Sequence, residues 1–416
     1  MFSLDQVVAL GGSAEAQARR RDALARAHEV GLPSFEEEVW RYTPIDDLVL
    51  SRYNLSSGPG HPPAPGLLGD SMAAAAAMVT LSDGHLVSVD IVDARVSVMV
   101  GDDADQAVSS VMGEAVDVFA DYNLALSSAP IWVRVAPNVV LDGPVVVQHT
   151  TTLDGLAVFP RLVVTAGENS EFTVLEHHQS DDVEVLICPV TELAVGRAAR
   201  VRHLTVQELG PRVWQIASQR SDIDRDAHLV ASQVALGGGY ARARIDTRMV
   251  GPGSTGDINA VYFGRGDAQL DFRTFQQHVA PHTTSNLLFK GAVDDRSRAI
   301  YTGMIRIEPD AHHVAAYQTN RNLKLSDQAW AESVPNLEIE NNDVTCSHAS
   351  AVGPVDADQQ FYLESRGVPA QLAEALVVKG FFAEVLERLP EPEVGRSTAD
   401  RISELLSIAE LEGALS

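Results

Sequence analysis

The sequence predicts a mainly β protein: a parallel β-helix core flanked by α-helical segments at both ends. Two observations carry this. From about Ser71 to Gly353, short runs of Val, Ile, Leu and Thr alternate with clusters of Gly, Asp, Asn and Pro, with almost no helical periodicity between them. On either side the texture changes to apolar residues at helical spacing. The 416 residues exceed what one small core needs. They divide into an N-terminal helical segment and linker (1–65), a β-helix core (66–353) and a C-terminal helical module (354–416).

Taken in order, Ser13 to Val30 is Ala- and Arg-rich without Gly or Pro, which favours a helix that Gly31 and Pro33 stop. A second helical turn, Ser34 to Glu38, leads into Trp40-Arg41-Tyr42-Thr43-Pro44, and Ser56 to Pro65 is a linker by composition. Strands then recur between turns. Val139-Val140-Leu141 and Val145-Val146-Val147 flank Asp142-Gly143-Pro144, and Leu162-Val163-Val164 precedes Gly167-Glu168-Asn169-Ser170. A sandwich of this size would be unusual, and the blade signatures of a propeller are missing, so stacked coils fit the beat better. After Asp356, Ala357 to Arg366 reads as a helix capped by Gly367, and Pro369 suits the first turn of the next. That helix carries Leu372, Leu376, Phe381, Val385, Leu386 and Leu389 in one apolar stripe, with Pro390 and Pro392 as its stop. A last helix, from about Thr398 to Leu415, should bury Ile402, Leu405, Leu406 and Leu411. These stripes either pack together or dock a partner.

Composition narrows the function. Asp and Glu outnumber Lys and Arg by 57 to 31, a net charge of −26, which repels nucleic-acid phosphates. Cys188 and Cys346 are too few for a disulfide framework, which fits a reducing compartment. Met1 to Leu10 lacks a basic stretch and is interrupted by Asp5, so it is a poor signal peptide. The longest apolar stretch, Met72 to Leu81, is about half of the ~20 residues a membrane span needs. The expectation is a cytoplasmic protein with no membrane or nucleic-acid partner.

Few motifs could carry chemistry. Gly251-Pro252-Gly253-Ser254-Thr255-Gly256 has dinucleotide-site spacing, but a strand pattern follows where a helix is required, so it reads as a turn. His177-His178 and His312-His313 read as strand neighbours on opposite faces, unable to share a metal without a bulge. Cys188 lies in an apolar run and reads as a buried small hydrophobe. Cys346-Ser347-His348 differs: residues i and i+2 of a strand share a face, with Cα atoms ~6.6 Å apart. Thiolate and imidazole then point the same way, a pair suited to iron, zinc or copper but two ligands short of a tetrahedral site. An ordinary strand cysteine beside a hydrogen-bonded histidine is the other reading.

Several spaced segments in one order resemble the SufB/SufD family of iron–sulfur cluster scaffold proteins, and its SufD-type subunit in particular. They are Glu38-Val39-Trp40-Arg41-Tyr42-Thr43-Pro44, Asn286-Leu287-Leu288-Phe289-Lys290-Gly291, Ala316 to Leu323, Pro335 to Ile339, Thr345-Cys346-Ser347-His348-Ala349 and Phe361 to Gly367. The resemblance is dense from about Asp257 to Leu389 and thin from Leu50 to Val250. It implies a right-handed parallel β-helix and a non-enzymatic subunit. That subunit pairs with a SufB-like chain, carries a SufC-like ATPase on its C-terminal module, and is supplied indirectly by sulfur-transfer proteins. It also implies a transient iron–sulfur cluster at the partner interface, with none held stably by this chain alone. Cys346 and His348 map onto the interface site, and Leu372, Leu376, Phe381 and Leu386 fall in the ATPase-docking module. SufB-type chains usually carry cysteines near Asn320 and Ala329. Their absence here favours the SufD type over the SufB type.

Two other readings are a secreted-type β-helix carbohydrate-active enzyme and a thiol enzyme using Cys346 and His348. An acidic chain always offers the paired carboxylates that the first requires. The second needs contact between two side chains that stand parallel on one strand.

Overall fold

The computed structural model describes residues 2–407 apart from 63 and 65. Two long sheets face each other and are built in alternation, so the chain climbs as a parallel β-solenoid of about eight turns. One sheet runs from His85–Ile91 and Ala77–Ser82 through six further strands to Val314–Lys324 and finally Val344–Pro354. The other runs from Val96–Val100 and Ile131–Val135 to Arg298–Ile307 and finally Trp330–Ile339. Successive turns pair parallel and in register, and only the first strand pair of each sheet is antiparallel.

One corner explains how the coil repeats. Asn138, Asn169, Ala198, Asp226, Gly253, His282 and His313 all adopt left-handed backbone, one per turn. Each donates its amide to a carbonyl of the next turn, from Asn138 to Glu168 (2.8 Å) up to His313 to Asp343 (2.7 Å). The conformation suits Gly, Asn and Asp but strains Ala. The ladder of bonds holds it at every turn regardless of residue type.

Between the sheets lies an apolar core. Leu162, Val164, Leu193, Val195, Phe172 and Val174 fill its early turns, and Tyr262, Phe272, Phe289 and Tyr301 its later ones. The chemistry of two sequence motifs is now visible. The Trp40 ring lies under the Arg242 guanidinium at 3.9 Å, and Arg242 also donates to the Val39 carbonyl and to buried Asp271. Thr43 bonds Tyr240, and Gln269 donates to the Tyr42 carbonyl. This segment therefore clips the N-terminal helices to the solenoid wall. Lys290 is buried, donates to the Phe381 carbonyl at 2.8 Å and pairs with Glu384, anchoring the C-terminal module.

Among the described residues, six α-helices flank or interrupt the coil: α1 (Leu4–Ala9), α2 (Ala14–Val30), α3 (Val118–Leu126), α4 (Ala357–Ser365), α5 (Ala370–Leu386) and α6 (Pro392–Leu405). Ser13 caps α2 and Gly31 ends it with positive φ, as the composition predicts. Other expectations need correction. Leu4–Ala9, for which the sequence reading named no element, is a helix opened by a Ser3–Gln6 capping box. Helix α3 interrupts the β region and is buried along its whole length, so it lacks the amphipathic stripe by which helices are read. Ser34 to Glu38 is a turn, and the short helix there is Glu38–Trp40. Pro392 opens α6 as its first residue instead of ending α5, so that helix begins six residues earlier than Thr398. Ile402 is buried as expected, whereas Leu411 and Leu415 lie outside the described residues. The Gly253 segment is a turn followed by the strand Thr255–Gly264.

Candidate functional site

Among the described residues, the solenoid ends without a cap. Val344–Pro354 and Trp330–Ile339 are the final strands of their sheets, each paired on one side only. Burial shows which way their side chains point. On the preceding strand, Val314, Ala316, Gln318, Asn320 and Asn322 are buried while Tyr317 and Arg321 are exposed. In-register parallel pairing places Cys346 against Ala316 and His348 against Gln318. Cys346 and His348 therefore continue the inward-facing rows, on a turn that no further strand among the described residues covers.

The two side chains sit in different surroundings. Cys346 is half-buried against Ile305, Ile307, Ala311, Val314 and Ala316, and burial pushes its thiol above the ordinary range. His348 is exposed. Beneath it Gln318 donates to the Tyr301 hydroxyl at 2.6 Å, leaving its own buried Oε1 without a partner. Asn320 and Asn322 both bond the hydroxyl of Tyr262, whose ring passes over Gly291. A Cβ at Gly291 would meet that ring at 1.9 Å, which explains why glycine follows Lys290 here. The end of the coil is thus a polar floor of amides and phenols, with an apolar rim in exposed Leu337, Ile339 and Val352.

Among the described residues, no third metal-ligating side chain gathers about Cys346 and His348. The pair can offer one sulfur and one nitrogen to an ion or cluster, and the remaining ligands must come from elsewhere. The raised thiol and its apolar packing also disfavour a nucleophilic role. Cys188 is buried beside α3, where its carbonyl accepts from Asn123, and burial pushes its thiol well above the ordinary range.

Of the residues expected to dock a partner, Leu372 is enclosed, while Leu376, Phe381 and Leu386 are half-buried in the chain's own packing. Leu372 is only 4% exposed against Ala375 and Leu406, Leu386 packs on Leu389 and Val394, and Phe381 meets Phe382 edge-to-face beside Lys290. Leu376 is half-buried in the same packing. The large apolar residues that α4 leaves outside are Phe361 and Tyr362, 70% and 58% exposed.

Two histidine groups escaped the sequence reading. Within the coil, His178 and His203 both bond Glu176 at 3.0 and 3.3 Å, and Thr191 donates to it at 2.9 Å. Burial pushes the Glu176 carboxyl up, but these bonds outweigh it and hold the group well below the usual range. His149 stacks on His178, and burial pushes it down to about 3. His177 points the other way, to Glu208, as strand alternation requires. His312-His313 is not on a strand. It occupies a corner of the coil where His313 has positive φ, so the alternation argument fails and both rings converge with His282. Pairing between turns, invisible in the linear sequence, creates both groups.

The fold is a parallel β-solenoid whose last described turn carries a thiol and an imidazole on one face. A family model described as "SUF system FeS cluster assembly, SufBD core domain" matches residues 148–381, and the chain belongs to that family. An iron–sulfur cluster assembly SufBD family protein of Mycobacterium tuberculosis is 32% identical over 275 residues, 64% of this chain and 68% of its own length. The iron–sulfur cluster assembly protein SufD of Escherichia coli is 28% identical over 414 residues, 94% of this chain and 95% of its own. SufD of Bacillus subtilis is 30% identical over 269 residues, 64% and 62% of the two chains. Within the family this chain is a SufD-type member. No helix among the described residues is long and apolar enough to cross a membrane.

Proposed function

We propose that this chain is a cytoplasmic, non-catalytic scaffold subunit that pairs, through its uncapped last turn, with a SufB-like chain. Iron–sulfur clusters are built at the junction as cargo for transfer. The observation that carries this reading is the coincidence of two unpaired edge strands with the inward-facing pair Cys346 and His348. Unpaired strand edges favour addition of another strand, and the partner supplies the ligands that two side chains cannot. The C-terminal helical module carries a SufC-like ATPase, and sulfur-transfer proteins act on the partner chain. Leu372, Leu376, Phe381 and Leu386 support this docking indirectly by holding α5 in place, while Phe361 and Tyr362 offer the free apolar contact.

Co-expression of the two chains tests the pairing. One heteromer should sediment at micromolar concentration, and separate migration of the chains would refute it. Within that heteromer, His348→Ala should leave folding and assembly near normal while lowering the cluster content of the purified complex several-fold. Cys346→Ser should lower it less. A purely structural pair gives the opposite order: the thermal midpoint falls first, and cluster content falls only with protein level.

A further inference from the structure

Two corners of neighbouring turns bring three imidazoles together on the outside of the coil. His282 lies between the strands Gln269–His278 and Thr284–Val293, and His312 and His313 between Arg298–Ile307 and Val314–Lys324. The corner ladder fixes their spacing, since the His282 amide donates to the His312 carbonyl at 2.8 Å. Ring centroids are 5.3 Å (282–312), 4.8 Å (282–313) and 5.1 Å (312–313) apart. One nitrogen of each ring lies within 4.8 Å of the other two, and all three residues are exposed.

Two of the rings are held at Nδ1. His313 Nδ1 meets Asp343 Oδ2 at 2.8 Å, and His312 Nδ1 meets the Asp310 carbonyl at 3.2 Å. A carboxylate and a carbonyl only accept, so Nδ1 carries the proton in both. The neutral rings then present Nε2 as a lone pair. A carboxylate or carbonyl behind each imidazole is the usual outer support of metal-binding histidines.

We propose that His282, His312 and His313 form a surface site for one divalent first-row transition cation, oriented by Asp343 and the Asp310 carbonyl. Ligand atoms ~2.1 Å from one ion in a tetrahedron stand roughly 3.4 Å apart, so the rings close inward by about 1 Å on binding. Exposed side chains make that movement by small χ rotations. Three imidazoles suit zinc, copper, iron or nickel, and the fourth position is left to water or an incoming ligand. The site is separate from the thiol–imidazole pair. Asp343 precedes Cys346 by three residues and His348 by five, roughly 10 and 17 Å along a strand.

Titration of the full-length chain with Zn²⁺ by calorimetry, and with Co²⁺ by its visible d–d bands, decides the matter. His282 and His313 both have positive φ, which asparagine tolerates, so His282→Asn and His313→Asn spare the fold. The wild type should bind at micromolar concentration. Each asparagine variant should lose at least tenfold in affinity, and Asp343→Asn, acting only through His313, should lose about tenfold. His348→Ala should leave Zn²⁺ affinity at the three-histidine site unchanged. Wild-type affinity in the His282→Asn/His313→Asn double variant would overturn the proposal, as would equal loss in His348→Ala or no Zn²⁺ binding by the wild type. Failure here would leave the scaffold reading intact, because that rests on the other pair.

Discussion

At the scale of single residues, buried histidines set how this protein meets acid. His278 lies inside the coil between the Thr283 and Ser285 hydroxyls at 2.7 and 2.9 Å, and burial pushes it down to about 3. His149 is pushed down to the same value, by burial first and by His178 second. The unfolded chain protonates both near 6.5. Their stabilisation is therefore complete above pH 6.5 and is lost progressively as pH falls from 6.5 towards 3, where the unfolded state binds more protons. At pH 5 each costs roughly 2 kcal/mol relative to pH 7. Urea unfolding at the two pH values should show this fall. His278→Gln keeps polar contacts without the titration, and should make the fall about 2 kcal/mol smaller. An unchanged fall would remove His278 from the account.

At the scale of elements, burial separates residues that hold the C-terminal module together from those free to meet a partner. Leu372 is almost fully enclosed, so Leu372→Ala should cost about 3 kcal/mol and weaken ATPase co-purification only by loosening α5. A Phe361→Ser, Tyr362→Ser double variant removes exposed apolar surface from α4, which has no buried residue. It should leave stability within about 0.5 kcal/mol and still lower ATPase recovery. Normal recovery with that double variant would move the docking surface elsewhere. The helices also show where sequence reading works. Helix α2 was legible from its composition and its glycine stop, and α4 from the Gly367 cap and the Pro369 that follows. Helix α3 was not, because Val118 to Leu126 is enclosed all round and has no polar face to set a period. The same limit hid the turns of the coil. Their corners recur every 27 to 31 residues, but the repeated feature is a backbone angle, carried in turn by Asn, Asn, Ala, Asp, Gly, His and His. A β-helix texture was readable from short strands between turns, while its period was not. The Cys346–His348 face followed from strand alternation alone, whereas Glu176 with His149 and His203 depends on which turns stack.

At the scale of the whole molecule, each turn of the solenoid touches only its neighbours, so opening should begin at an end that lacks one. The Val344–Pro354 and Trp330–Ile339 strands form that end. Hydrogen exchange of the isolated chain should be fastest there among the strands, and addition of the SufB-like chain should slow it in these two strands first. Protection gained elsewhere, with these strands unchanged, would place the partner on another surface. The open end also has a consequence for the cell. Under the proposed pairing, a copy released without its partner still offers two free strand edges and an apolar rim, and a second copy of the same chain can use them as readily as the intended one. Producing the two subunits in matched numbers, or destroying the surplus quickly, is the condition this geometry sets on the organism that makes it.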